Sequence, residues 1–102
     1  MPGFRLIPDA QTDLIEILRF TIRQWSKAQS QKYLSELQQT IRLLAETPSL
    51  SKSRPDVGPK VLSFPCSSHV IYYVVYEQQL VVFGVLHKRM VPFNHLTVRE
   101  AF

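Results

Sequence analysis

The chain has 102 residues, a formal net charge of +4, a pI near 9.5, 45% hydrophobic and 20% charged residues. That composition excludes a disordered tail, and the length suits one domain that buries roughly 65% of its unfolded surface around a single core. The lone cysteine, Cys66, excludes an internal disulfide, and no apolar run reaches the ~18 residues of a membrane span.

The opening MPGFRLIPDA lacks the charged-then-apolar layout of a signal peptide, so a soluble, cytoplasmic chain is expected. Its basic balance favours acidic partners: a nucleic acid, an acidic protein segment or an anionic surface.

Phe4 to Ile7 has a short strand pattern, which Pro8 is expected to end, leaving Asp9 to cap the first helix. From Ala10 to Trp25 the apolar residues fall at 10, 14, 17, 18, 22 and 25, one face of a helix. Trp25, an aromatic at helical spacing, is expected in the core beneath the helix connection. Ser26-Lys27-Ala28-Gln29 has the form of a capping box and starts a second helix at once. Tyr33, Leu34, Leu37, Ile41, Leu44 and Ala45 continue it, and Pro48 stops it by disfavouring the α conformation at Thr47. Two helices with almost no linker form an antiparallel hairpin.

Ser49 to Lys60 reads as a polar loop. Three strand patterns come next, Val61–Phe64, His69–Tyr76 and Leu80–His87, the last two rich in β-branched and aromatic residues. Glu77-Gln78-Gln79 joins them as a hairpin without an Asn-Gly signal. Strands this apolar have both faces covered. The helical hairpin supplies one cover, and the other is expected from a partner, which points to a protein that works by binding. In the tail from Val91 to Phe102, Pro92, Phe93 and Leu96 are placed to pack back. The expected fold is α+β in the order β-α-α-β-β-β, a helical hairpin on one face of a small, mainly antiparallel sheet. It forms one domain over residues 1–102 with its core in about 3–96.

The order of these elements and a set of short motifs resemble the ParE branch of the ParE/RelE toxin superfamily. The matching residues are Asp13-Leu14-Ile15-Glu16-Ile17, Trp25, Tyr33-Leu34 with Leu37, and Leu44-Ala45-Glu46-Thr47-Pro48. Arg54-Pro55-Asp56, Ser63-Phe64-Pro65, His69-Val70-Ile71-Tyr72-Tyr73 and Val85-Leu86-His87-Lys88-Arg89-Met90 complete the set. The resemblance implies the toxic half of a bacterial type II toxin–antitoxin pair, neutralised by direct binding of a cognate antitoxin. For ParE members the implied target is DNA gyrase; for RelE members it is mRNA in the ribosome. Ser51 stands where the ParE pattern often has glycine, Leu62 where it often has arginine, and Val91 where it often has aspartate. These departures bear on the target more than on the fold.

A RelE-type nuclease needs positive charge for its transition state and a group that moves a proton. The resemblance implies sheet arginines and a C-terminal tyrosine for those roles. Here His69 stands near the arginine position and Phe93, which has no proton to exchange, near the tyrosine. No catalytic residue and no cofactor are therefore expected, and action is expected to be by binding. A hairpin centred on Gln78 sets His69 opposite His87. Without a third ligand in reach this is a structural pair and not a metal site. Arg54, Lys60, Lys88 and Arg89 are candidates for one basic rim, with Asp56 a candidate ion partner for Arg54. The candidate partner-binding set is Arg54, Lys60, His69, Tyr73, His87, Lys88 and Arg89. Direct sequence-specific binding of nucleic acid is not expected.

Overall fold

The computed structural model describes residues 3–96 and Arg99. β1 (Phe4–Leu6) leads into α1 (Pro8–Gln24) and α2 (Lys27–Glu46). A 3₁₀ turn at Pro48–Leu50 precedes β2 (Lys52–Ser53), β3 (Leu62–Cys66), β4 (His69–Tyr76), β5 (Gln79–His87) and α3 (Pro92–Leu96). The sheet order is β1-β5-β4-β3-β2. β1 lies parallel to β5, while all other neighbours are antiparallel. The expected α+β order holds, with one strand added: the polar Lys52 and Ser53 pair with Ser63 and Leu62.

The helix starts differ from each other. Pro8 ends the strand pattern as expected and itself occupies the first helical position, where its missing N–H costs nothing and its fixed φ is already helical. The cap position falls to Ile7, which has no side-chain cap bond, and Asp9 sits inside the first turn, where its charge faces the helix dipole. At α2 the cap is as expected: Ser26 Oγ accepts the Gln29 N–H at 3.1 Å. α2 ends at Glu46, one residue short of the Thr47 that precedes Pro48.

Register assigns the side chains to two faces of the sheet. Leu62, Phe64 and Cys66 share a face with Tyr73, Ile71 and His69, and with Val82, Val85 and His87. This is the helix-covered face, because Tyr33 and Thr40 of α2 reach His69 and Cys66. Ile71, Tyr73, Val82 and Val85 fill it together with Leu37, Ile41 and Leu44.

The outer face carries Tyr72, Val74, Val81 and Leu86, all of them buried. The chain itself supplies much of the cover that was expected from a partner. Arg54 lies over the Tyr72 ring, 5.3 Å from its centroid. Leu96 of α3 sits so close to Gly84 that a Cβ there would overlap it. Leu96 thus packs back as expected, whereas Phe93 remains 60% exposed. Residues 97, 98 and 100–102 of the expected tail lie outside the described residues. Trp25 is also not core: it is 47% exposed and meets Tyr33 edge-on at 6.2 Å. The helix connection runs over the surface, so the indole has a neighbour on one side and solvent on the other.

The β4–β5 hairpin contains an irregularity that shapes the far end of the sheet. Its turn residues Glu77 and Gln78 both have positive φ, 50° and 65°, the type I′ geometry that matches strand twist. From that turn alone His69 would face Leu86. Tyr73 pairs with Val82 and Tyr72 with Gly84, so Phe83 is an extra residue in β5. This bulge advances the register by one and sets His87 opposite His69.

Candidate functional site

The bulged end of the sheet gathers the polar chemistry. The His69 and His87 rings lie 5.4 Å apart, edge to face. Tyr33 Oη is 2.6 Å from His69 Nδ1, accepts the Ser68 N–H at 3.2 Å, and is 3.4 Å from the Cys66 carbonyl. The phenol has one proton and two places to put it, the Cys66 carbonyl at 3.4 Å and His69 Nδ1 at 2.6 Å. The shorter contact lies in the O–H range and below the usual N–H range, so the proton is assigned to the bond with His69. Burial pushes the Tyr33 hydroxyl upward in pKa, so the proton stays on the phenol. His69 Nδ1 is then the acceptor and its ring proton sits on Nε2. Burial and the neighbouring His87 hold His69 down to a pKa of about 4, so the ring is neutral. His87 Nδ1 accepts the Arg89 N–H at 3.2 Å, which places the His87 ring proton on Nε2 as well.

Beside the histidines the outer edge of β5 is closed by side chains instead of a strand. β1 ends its pairing where the Ile7 N–H meets the Val82 carbonyl at 3.1 Å, because Pro8 begins the helix. Beyond that point Asp13 of α1 accepts the Val85 N–H at 2.9 Å. Arg99 donates to the Phe83 carbonyl at 3.1 Å and to both oxygens of Asp13 at 2.5 and 2.9 Å. The two side chains are 15% and 13% exposed, and the carboxylate raises the Arg99 pKa above its usual value. A part-buried guanidinium–carboxylate fork thus satisfies an edge that would otherwise present bare peptide groups. Nothing in the sequence signalled this pair, since its partners lie 86 residues apart.

A cleft of about 460 Å³ opens between α1, the end of β5 and the tail. Ile17, Phe20, Leu86 and Met90 give it an apolar lining, and His69, His87, His95 and the Asp13–Arg99 pair give it polar groups. Phe20 is 61% exposed, so the mouth of the cleft is open and apolar. Among the described residues no group of three His, Cys, Asp or Glu side chains is placed to hold a metal ion. No described helix is long and apolar enough to cross a membrane.

The candidate residues divide between two regions and the core. His69 and His87 meet as cross-strand partners. The expected basic rim is split: Arg54 bonds the Val61 carbonyl and Lys60 adjoins it, at the Leu62–Tyr73 end. Lys88 and Arg89 come directly after His87 at the opposite end. Eight-residue β4 separates the two groups, so they form no single rim. Arg54 is occupied, donating from Nε and Nη2 to Asp56 at 3.0 and 2.8 Å, which holds the Asp56 carboxyl below its usual range. Tyr73 is 0% exposed on the helix-covered face, where burial raises its pKa. It is a core residue and not a contact, because the register turns its ring inward beside Leu62. Tyr33, Asp13 and Arg99 are site residues that carry no signal of this role in the sequence.

Comparison with known proteins gives this arrangement its family. Residues 4–92 match the family described as the ParE toxin of the type II toxin–antitoxin system parDE. A toxin named ParE from Escherichia coli is 33% identical over 101 residues, covering 97% of either chain. Toxin ParE1 of Caulobacter vibrioides is 30% identical over 96 residues, covering 94% of this chain and 99% of its own. A solved structure from the chromosomal ParDE TA system of P. aeruginosa superposes with a TM-score of 0.75 at 13% identity, over 85% of this chain and 96% of that one. At that identity the last likeness concerns the fold alone. With helical hairpin, mixed sheet and near full-length relatives in agreement, the chain belongs to the ParE toxins of type II toxin–antitoxin systems.

Proposed function

We propose that this toxin acts inside the bacterial cell by binding, that a cognate antitoxin neutralises it by direct contact, and that its target is DNA gyrase. The observation that carries the binding role is the open apolar cleft at the histidine end, where Phe20 is 61% exposed. A folded chain of this size rarely leaves such a concave apolar mouth without a partner. The gyrase target rests on family membership.

Two features favour binding over catalysis. Phe93 has no exchangeable proton, and His69, neutral with a pKa of about 4, is a weak base at physiological pH. A weak base contributes little to moving the proton of a 2′-hydroxyl.

Inducing the chain alone in bacteria tests the proposal. The expected result is filamentation with induced DNA damage, reversed by co-expressing a small acidic protein encoded beside it. A translation block with codon-specific cuts by toeprinting would instead make it a ribosome-dependent nuclease. Unaffected growth would leave a toxin fold that only forms complexes.

A further inference from the structure

The cleft has an imbalance between hydrogen-bond donors and acceptors. Its acidic groups are engaged: Asp13 holds Val85 and Arg99, and Glu16 Oε1 is 3.4 Å from Arg19 Nη1. Of its imidazoles, His69 and His87 are engaged through Nδ1 alone among the described residues. With both Nδ1 atoms serving as acceptors, to Tyr33 Oη–H and to the Arg89 N–H, both ring protons are on Nε2. Among the described residues neither Nε2–H meets an acceptor. The two ring centroids stand 5.4 Å apart, edge to face, and both rings line the same cleft. The flanking charges, Lys88 and Arg89, are cationic and exposed. Beside the rings, Ile17, Phe20, Leu86 and Met90 form the apolar lining.

We propose that the His69–His87 pair is a carboxylate-binding site, and that the cleft takes an apolar peptide segment of a partner protein whose Asp or Glu side chain is held by the two Nε2–H donors. The inference rests on the reading of the chain as a toxin held by a protein antitoxin, and it states the chemistry of the segment that docks. Both donors are preset before the ligand arrives. Tyr33 fixes the His69 tautomer from α2, and the Arg89 backbone fixes that of His87. Tyr33 is therefore a positioning residue. A neutral amide side chain at the same place brings one acceptor oxygen and two competing donors, so the pair discriminates Glu from Gln.

Small probes test this on the purified chain, with 15N-resolved imidazole NMR as the readout. The free protein should show both histidines as Nε2–H tautomers. Titration with 4-phenylbutyrate should shift both Nε2–H signals and the Met90 methyl together, at least fivefold more tightly than 4-phenylbutyramide. His87→Phe, which keeps a ring of similar size, should bring the acid and the amide to within twofold. Tyr33→Phe should release the His69 tautomer and weaken the acid alone. Equal binding of acid and amide, or no saturable shift up to 50 mM, overturns the carboxylate site. Equal histidine shifts from inorganic phosphate, without a Met90 response, overturn the peptide cleft in favour of a free-anion site. These outcomes are separable from the toxin–antitoxin reading, which fails if a co-expressed antitoxin does not restore growth, whatever the probes do.

Discussion

Removing the Asp13–Arg99 fork is expected to loosen the β5 edge and the tail together. Arg99→Met deletes two charge-assisted bonds to Asp13 and one to the Phe83 carbonyl, and among the described residues it leaves Asp13 with the Val85 N–H as its remaining donor. Breaking a buried pair costs roughly 3–5 kcal/mol. The adjoining cleft admits water to the orphaned carboxylate, which reduces this to about 2–3 kcal/mol. Asp13→Asn keeps an acceptor for Val85 but loses the charge, at about 2 kcal/mol. The double variant should be less destabilised than the two losses added, by about 1.5–2 kcal/mol of coupling. Urea unfolding followed by far-UV circular dichroism measures all four proteins, with an unchanged slope showing that the same surface is exposed. Against a total of about 5–15 kcal/mol, each single loss is easily seen. Additive losses, with coupling under about 0.5 kcal/mol, would refute the view that the two side chains close the edge as a unit.

Three further outcomes are expected from other parts of the fold. His69 has a folded pKa of about 4 against an ordinary 6.5, so the unfolded chain binds the extra proton first as pH falls. Stability from this group is therefore full above pH 6.5 and lost progressively down to about 4. The uncorrected shift corresponds to ~3 kcal/mol, and solvent screening of this partly exposed ring lowers the expectation to ~1–2 kcal/mol. Urea midpoints of wild type and His69→Gln at pH 7 and pH 4.5 measure it, and an identical pH dependence in both removes His69 as the cause. Gln78→Gly places glycine at a φ of 65° and should stabilise by about 1 kcal/mol, read as a rise in melting temperature. Gly84→Ala should push Leu96 off the outer face and cost about 1–3 kcal/mol. Faster amide exchange in α3 would accompany it, and an unchanged melting temperature would contradict the packing described.

The parts of this molecule that were legible from sequence are those governed by local rules. Helical periodicity, the Ser26 cap and the Pro48 stop act within a few residues, and the structure repeats them. The His69–His87 pairing was also legible, but for an incomplete reason. The turn is centred one half-residue earlier than Gln78, and the Phe83 bulge restores the register. A bulge of one apolar residue in an all-apolar strand leaves no compositional mark. The same limit hid the Asp13–Arg99 fork and the Tyr33–His69 bond, whose partners meet only after the sheet and hairpin have closed. Trp25 misled because helical spacing places a residue on a face without saying where the face ends. Lys52 and Ser53 misled because a two-residue edge strand needs no β-prone side chains when its partner, β3, is already in place.

The most direct test of the central claim, action by binding to gyrase, is a DNA cleavage assay with purified gyrase, supercoiled plasmid, ATP and the purified chain. Linear, covalently gyrase-linked DNA is expected to accumulate with toxin concentration and to disappear when antitoxin is added first. Unchanged supercoiling and no cleaved DNA, at toxin levels that arrest growth in cells, would contradict it.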